Sequence, residues 1–210
     1  DNLMNLELLF WASELSGNPR YAEMAVRHAD LTRIHHQRAD GSVYHVAVYD
    51  RQKATLAYYL PGQGKSVTSV WSRGQAWAIY GFTMVYEYSQ EKRFLEAAQK
   101  VADFWLEKVP YGEVPFWDLD IARGDKVARD ASAAAIAAMG LLKLSKVTSD
   151  LQYREAAMLL LARLSAPPYQ DPTDPFILSL STGSVPHDHD VNRPLIYADY
   201  YYLEALIEAI

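Results

Sequence analysis

The sequence predicts an all-α protein made of helical hairpins that pack as two layers or rings. Apolar residues recur with the 3.6-residue period of an α-helix along most of the 210 residues. Helices that are apolar on every side alternate three times with amphipathic helices, which is the pattern of an inner and an outer layer. The amphipathic segments also begin alike, at Arg20-Tyr21-Ala22, Arg93-Phe94-Leu95 and Tyr153-Arg154-Glu155. This weak internal repeat indicates stacked hairpins.

The first hairpin and the segment after it follow from periodicity and from turn residues. An apolar-rich helix over residues 5–16 is stopped by Gly17-Asn18-Pro19, and an amphipathic helix over residues 21–38 is stopped by Asp40-Gly41. Residues 42–49 alternate as a strand does, and the residues on one face are Val43, His45, Ala47 and Tyr49. The glycines of Pro61-Gly62-Gln63-Gly64 predict a loop.

The later elements repeat this pattern. An apolar helix is predicted from residue 72 or 73 to residue 90, and an amphipathic one over residues 93–108. After an irregular loop over residues 110–126, an alanine-rich helix over residues 130–148 is capped by Asp130 or Ser132. An amphipathic helix covers residues 151–164, a break residues 167–175, a short helix 176–181, a loop 182–194 and a last helix 196–210. We expect the long loops to gather at one end of the inner helices, where a site would lie.

Composition excludes several classes of partner. The net charge of −6 argues against nucleic acid or an anionic membrane, and no apolar run has the length of a transmembrane helix. The absence of cysteine excludes disulfides and thiolate metal sites. A chain without cysteine suits both the cytoplasm and the periplasm, and of these we expect the cytoplasm. The 15 tyrosines and 5 tryptophans fit either a sugar-binding cleft or the edge of a large helical core.

The stretch from Val70 to Trp77, with the sequence VWSRGQAW, carries the most specific chemistry. Arg73 lies between two tryptophans at the start of a helix, and its guanidinium has the geometry to bind a carboxylate. Trp77 follows Arg73 by four residues and therefore shares its helix face. Flat indole faces beside a cation suit an acidic sugar. The alternatives are a structural ion pair for Arg73 and a place in the core for Trp71 and Trp77.

Four stretches, in order along the chain, resemble the unsaturated glucuronyl hydrolases of glycoside hydrolase family 88. They are Asp1-Asn2-Leu3-Met4-Asn5-Leu6, Trp71-Ser72-Arg73-Gly74-Gln75-Ala76-Trp77, Arg129-Asp130-Ala131-Ser132-Ala133-Ala134 and Pro194-Leu195-Ile196-Tyr197-Ala198-Asp199-Tyr200-Tyr201. The resemblance implies an (α/α)6 barrel, of which residues 1–210 would be a single domain formed by the later hairpins. It also implies that a second important aspartate lies upstream of this sequence and that some inner-ring surface is exposed.

The resemblance further implies an activity and a set of site residues. Family members remove a 4,5-unsaturated uronic acid from the non-reducing end of an oligosaccharide by hydrating its enol-ether double bond. Asp1 matches the general acid/base, for which the alternative is a helix cap. The substrate-contacting positions are matched by His45, Gln63, Trp71, Arg73 and Trp77. Otherwise His45 would be a structural histidine and Gln63 a turn residue. Neither a metal nor a cofactor is expected.

Other constellations carry less weight. His187-Asp188-His189-Asp190 has a metal-like composition but no third ligand group, and Gly62-Gln63-Gly64-Lys65-Ser66 lacks the first glycine of a phosphate loop.

A two-carboxylate glycosidase would need a second carboxylate as the partner of Asp1. The candidates are Asp118 and Asp120, whose alternative is a solvated loop, and Asp130 and Asp199, which fit caps or braces better. An unsaturated rhamnogalacturonyl hydrolase and an inactive helical-repeat binding module stay open as alternative functions.

Overall fold

The protein is described by a computed structural model that covers residues 1–122 and 127–210. Seven α-helices and two small hairpins make up the described part, so the predicted all-α class is confirmed. A 3₁₀ turn at Met4–Leu6 leads into the first helix. The elements are α1 (Glu7–Ser16), α2 (Pro19–His36), β1 (Val46–Asp50), β2 (Thr55–Leu60), α3 (Ser72–Ser89), α4 (Lys92–Lys108), α5 (Ala131–Thr148), α6 (Leu151–Leu164), β3 (Ser181–Ser184), β4 (His189–Arg193) and α7 (Ile196–Ala209).

The helices form an inner row of α1, α3, α5 and α7 and an outer row of α2, α4 and α6. Helix α3 packs on α4 and α5, and α5 packs on α6 and α7. The alanine-rich sequence of α5 allows a very close approach, since a Cβ added to Gly140 would lie 2.7 Å from the backbone nitrogen of Tyr80. By length and composition α5 could cross a membrane, but 78% of it is buried inside the protein. It is therefore the central core helix, as predicted.

Short turns join each inner helix to the following outer helix. A residue in the left-handed conformation ends α1, α3 and α5, with φ of 68° at Gly17, 57° at Gln90 and 60° at Ser149. The next residue begins the outer helix, and the side chains of Asn18 and Asp150 there cap α2 and α6. Because these turns share one end of the protein, the long connections 37–71, 109–122 with 127–130, and 165–195 gather at the other end. The predicted clustering of loops is confirmed.

The connection between α2 and α3 differs from the prediction. The strand begins at Val46 instead of residue 42, and it pairs with β2, a partner that the sequence analysis did not identify. The two strands are antiparallel, with Val46 opposite Leu60 and Asp50 opposite Thr55. Together they form a hairpin over the end of the inner row. The irregular loop predicted over residues 110–126 lies partly outside the described residues.

The connection between α6 and α7 was predicted wrongly. Residues 176–181 form no helix, and residues 182–194 are not a plain loop, because β3 and β4 pair there as an antiparallel hairpin. The physical reason lies in α7. The carboxylate of Asp199 accepts the backbone N–H groups of Ile177 at 3.1 Å and Leu178 at 2.9 Å. These N–H groups are thus bound by a distant side chain instead of a helical carbonyl.

The two ends of the inner row expose apolar side chains. Large hydrophobic residues with more than two fifths of their surface exposed lie on α1 and α7, and they include Leu8, Trp11, Leu15, Leu203 and Ile207. The exposure of inner-ring surface that the resemblance implied is therefore found. Patches of this kind mark surfaces that pack against other protein.

Candidate active site

A cavity of about 620 Å³ lies at the end of the inner row where the loops gather. Its walls come from residues 1–3, the C-terminal half of α2, the start of β1 and the first turns of α3. Three predicted site residues line it, namely Asp1, His45 and Trp77. Its volume is in the range of ligand-binding pockets. Residues from four separate elements thus meet at one place.

Asp1 reaches the cavity because the segment after it packs tightly on α3. Leu3 is buried and lies against Gly81, where an added Cβ would come within 2.4 Å of the Leu3 Cβ. The 3₁₀ turn begins after Leu3 with no side-chain cap. Among the described hydrogen bonds, Asp1 takes part only through its backbone carbonyl, which accepts from Asn5 Nδ2 at 3.2 Å. The capping alternative therefore finds no support, and the Asp1 carboxyl group has no described hydrogen bond.

His45 is held by the loop that follows β2. Its Nδ1 lies 3.0 Å from the Pro61 carbonyl oxygen and 3.0 Å from the backbone nitrogen of Gln63. Gly62 stands between these residues with φ of +55°, and an added Cβ would lie 2.6 Å from His45 Nδ1. Burial lowers the pKa of His45 to about 4, against an opposing effect of the Pro61 carbonyl. The imidazole is therefore neutral near pH 7.

The side chain of Gln63 does not line the cavity. Its Nε2 donates a hydrogen bond to the carbonyl oxygen of Gly183 at 2.7 Å, which joins this loop to β3. The predicted substrate contact through the amide stays a prediction. The structure instead shows Gln63 acting through its backbone N–H on His45.

Arg73 has the structural partner that the sequence analysis gave as its alternative. The side chain is 4% exposed and forms an ion pair with Asp130, which is fully buried. Its terminal nitrogens also donate to the carbonyl oxygens of Thr182 at 2.6 Å and Gly183 at 2.8 Å. The guanidinium lies outside the cavity lining. Direct binding of a uronate carboxylate by Arg73 is therefore unsupported, and the residue fixes the β3–β4 hairpin to α3.

The two tryptophans have different surroundings. Trp77 lines the cavity, and its other contacts are edge-to-face with Tyr80 and Tyr201, whose ring centroids lie 6.4 Å and 4.9 Å away. Trp71 is buried behind the cavity wall. Its ring stacks on His45 at 4.1 Å and lies 4.3 Å from the guanidinium carbon of Arg73. Both indoles are buried in the core, as the alternative from the sequence had it; Trp77 also lines the cavity, whereas Trp71 supports His45, and the predicted sugar contacts stay predictions.

Three of the four candidates for a second catalytic carboxylate, Asp118, Asp130 and Asp199, bind other groups of the protein. The fourth, Asp120, is exposed. Asp118 is fully buried and accepts hydrogen bonds from the backbone of Lys65 and the hydroxyl of Ser69, so the solvated-loop alternative is wrong for it. Asp130 caps α5 by accepting from the Ser132 backbone, as predicted. Asp199 braces the segment before β3, also as predicted. None of these four residues lines the cavity with Asp1.

One wall of the cavity was missed by the sequence analysis. It consists of His28, Thr32 and His36, which share a face of α2 at four-residue spacing, together with Tyr44 before β1 and Tyr49 within it. Burial lowers the pKa of both His28 and His36. The polar residues at helical spacing, on a face otherwise suited to the core, were the signal that could have identified this wall.

The histidine-rich segment before α7 forms the β3–β4 hairpin. His187 Nδ1 lies 2.7 Å from the Ser184 hydroxyl, and His189 Nδ1 lies 3.0 Å from an Asp190 carboxylate oxygen. Within residues 1–122 and 127–210, no group of three or more histidine, aspartate or glutamate side chains is arranged to hold a metal ion.

The chain is similar to a family of glycoside hydrolases over nearly its whole length. The sequence profile of Glycosyl Hydrolase Family 88 matches residues 1–202. An unsaturated glucuronyl hydrolase of Formosa agariphila is 41% identical, over 98% of this chain and 53% of the relative. An unsaturated chondroitin disaccharide hydrolase of Streptococcus pyogenes serotype M1 is 34% identical, over 99% of this chain and 54% of the relative. The chain therefore spans about half the length of the curated relatives it matches.

The similarity extends to three dimensions. The crystal structure of an unsaturated glucuronyl hydrolase specific for heparin aligns with a TM-score of 0.96 and 40% identity, over 100% of this chain and 58% of that chain. The (α/α)6 class of fold expected from the sequence is confirmed. The assignment of residues 1–210 as a single domain formed by the later hairpins of such a barrel stays a prediction.

Proposed function

The chain belongs to glycosyl hydrolase family 88, and on that premise we propose that it supplies part of the active site of an unsaturated glucuronyl hydrolase. The substrate is an oligosaccharide with a 4,5-unsaturated uronic acid at its non-reducing end. The observation that carries the proposal is the convergence of Asp1, His45 and Trp77 on one cavity.

In the proposed reaction Asp1 acts first as an acid and then as a base. Its carboxyl group gives a proton to C4 of the unsaturated ring, and the electrons of the double bond leave an oxocarbenium-like centre at C5. A water molecule attacks C5 and returns its proton to the Asp1 carboxylate, which restores the enzyme. The resulting hemiketal opens, and the hemiacetal then present at C1 releases the rest of the oligosaccharide as an alcohol. Atoms balance with one water consumed.

The surroundings of Asp1 fit this chemistry. His45 is neutral near pH 7, because burial lowers its pKa to about 4, so it adds no positive charge that would stabilise the ionised form of Asp1. Trp77 offers an indole ring to the sugar ring, since aromatic side chains bind apolar faces while tolerating a polar edge. The names of the relatives cover chondroitin and heparin fragments. We therefore propose unsaturated disaccharides from glycosaminoglycans as the substrate class.

The test is the ultraviolet absorbance of an unsaturated glucuronyl disaccharide incubated with the protein. The conjugated double bond absorbs, and its hydration destroys the signal. The assay is run on the 210-residue chain and on this chain joined to the N-terminal part of the Formosa agariphila relative. A saturated disaccharide with the same linkage is the control substrate.

Loss of absorbance in either form, with release of the second sugar and no cleavage of the saturated control, supports the proposal. Unchanged absorbance in both forms on chondroitin and heparin disaccharides contradicts it. Cleavage of the saturated control would instead favour the two-carboxylate reaction.

A further inference from the structure

The loop over residues 61–70 is anchored to the core by a buried carboxylate, in addition to the hydrogen bonds from Gln63 to Gly183 and from Arg38 to the loop carbonyls. Asp118 is fully buried, and one of its oxygens accepts the Lys65 backbone N–H at 2.8 Å and the Ser69 hydroxyl at 2.7 Å. Its other oxygen accepts the Asp120 backbone N–H at 3.1 Å. Both halves of the loop are thus tied to the same side chain. Hydrogen bonds to an ionised acceptor are stronger than those to a neutral one.

The backbone beside Asp118 is also fixed. The Ser72 backbone N–H donates to the Trp117 carbonyl at 3.1 Å, and the Leu119 N–H donates to the Val70 carbonyl at 2.8 Å. The segments on either side of Asp118 therefore pair with the start of α3. As a result, a carboxylate that has no contact with the cavity fixes the loop that binds His45.

The hydrogen bonds around His45 Nδ1 determine which ring nitrogen carries the proton. The Gln63 N–H has this nitrogen as its only acceptor among the described hydrogen bonds. The Pro61 carbonyl oxygen, also 3.0 Å from Nδ1, already accepts the Gly64 N–H at 2.9 Å. A proton on Nδ1 would donate to the Pro61 carbonyl but would leave the half-buried Gln63 N–H facing another donor, and an unpaired donor is costly. A bare Nδ1 accepts the Gln63 N–H, while the Pro61 carbonyl keeps its hydrogen bond from the Gly64 N–H.

We propose that the buried Asp118 carboxylate, acting through the loop it anchors, fixes His45 as the Nε2–H tautomer, so that the imidazole presents a hydrogen-bond donor to the cavity. His45 lines the cavity, and Nε2 is the ring nitrogen that stays available when the loop binds Nδ1. The ring stack on Trp71 at 4.1 Å keeps the imidazole in this orientation. Asp118 is thus a positioning residue for His45.

The tautomer decides what His45 can do for a substrate. An Nε2–H group binds an oxygen acceptor, such as a uronate carboxylate or a hydroxyl oxygen, and it cannot take a proton from water. Proton transfer is then left to Asp1. This consequence rests on the proposed function, whereas the tautomer itself can be measured without any substrate.

The test is long-range ¹H–¹⁵N nuclear magnetic resonance of the histidine side chains in the ¹⁵N-labelled 210-residue chain. The His45 signals are assigned by their loss in a His45→Gln variant. We expect the Nε2–H pattern alone at pH 7, persisting on acidification until the pKa of about 4 is reached. An Nδ1–H pattern, or a mixture of both tautomers, in the wild-type chain would overturn the proposal.

The variant Asp118→Asn tests the role of the carboxylate. Both carboxylate oxygens of Asp118 accept hydrogen bonds, and an asparagine has an NH2 group in place of one of them. At least one accepted hydrogen bond is therefore lost, whichever way the amide is turned. We expect the Nδ1–H tautomer to appear and the His45 titration midpoint to rise towards the ordinary value of about 6.5. The matched control, Asp120→Asn, changes an exposed aspartate two residues away and should leave the His45 signals unchanged.

Ser69→Ala provides a second variant if Asp118→Asn fails to fold. It removes one of the hydrogen bonds to Asp118, together with the local bond from the Ser66 N–H, and should shift His45 in the same direction by a smaller amount. If the folded Asp118→Asn or Ser69→Ala protein gives wild-type His45 signals, Asp118 does not set the tautomer. Because no substrate is present, this result is independent of whether the chain hydrates unsaturated sugars.

Discussion

Replacing Arg73 by glutamine tests whether this residue is structural. The guanidinium is the counter-charge of Asp130, which is fully buried and has no other described ion pair. It also joins α3 to the β3–β4 hairpin through the carbonyls of Thr182 and Gly183. Arg73→Gln removes the charge and leaves the carboxylate of Asp130 buried without a counter-ion.

The size of the effect follows from the burial of both partners. Removing one member of a buried ion pair costs about 3–5 kcal/mol, because the other charge remains desolvated. The lost hydrogen bonds to two backbone carbonyls are part of that cost and are not added to it. Asp130→Asn removes the buried charge that Arg73→Gln leaves unpaired. The double variant should therefore lose less free energy of unfolding than the sum of the two single losses, with a coupling of about 1–3 kcal/mol.

The assay is urea unfolding followed by circular dichroism, applied to the wild type, both single variants and the double variant. Arg51→Gln, at an exposed position in the turn between β1 and β2, is the matched control and should change the free energy of unfolding by no more than about 0.5 kcal/mol. A cost below about 1 kcal/mol for Arg73→Gln, or strictly additive variants, would refute the structural assignment. Arg73 would then be available for a substrate carboxylate, as the sequence analysis first predicted.

Two further predictions concern the loop and the inner row. Gly62→Ala should lower the free energy of unfolding by about 2–4 kcal/mol, because it combines a positive φ with a Cβ only 2.6 Å from His45. Gly17→Ala, with φ of +68° and open space, should cost only about 1–2 kcal/mol, and equal costs in urea unfolding would contradict this reasoning. Burial raises the pKa of Glu204, so its folded form holds a proton more tightly than the unfolded chain and stability falls as pH rises above 4.5. Glu204→Gln should therefore unfold at higher urea than wild type at pH 7 but not at pH 4, and no advantage at pH 7 would be the contrary result.

Much of the helical architecture could be predicted from local signals. Periodicity and turn residues such as Gly17 identified the seven long helices to within about two residues of their observed ends. The β3–β4 hairpin could not be found in this way, because Ser181–Ser184 and His189–Arg193 lack the apolar alternation of a typical strand. Strand β3 is instead held by contacts with the starts of α3 and α5, where Arg73 and Asp130 bind the backbone of Thr182, and both elements are distant from it in the sequence.

Local signals and the resemblance predicted only part of the candidate site, because some of its side chains bind partners that are distant in the sequence. Asp1, His45 and Trp77 follow from residue type and from the resemblance, and the structure brings them to one cavity. Arg73 and Gln63 have equally suggestive residue types, but their partners Thr182 and Gly183 lie more than 100 residues away. No local pattern shows that a distant backbone carbonyl will bind these side chains in place of a ligand.

The central claim is that Asp1 is the acid and base of a hydration. It is tested most directly by comparing Asp1→Asn, Asp120→Asn and the unaltered sequence in whichever form of the protein destroys the absorbance of an unsaturated glucuronyl disaccharide. We expect Asp1→Asn to lose at least about a hundredfold in rate, the usual scale of general acid–base catalysis, while binding of the disaccharide is retained and Asp120→Asn keeps the full rate. A rate within about twofold of the unaltered protein for Asp1→Asn would contradict the account.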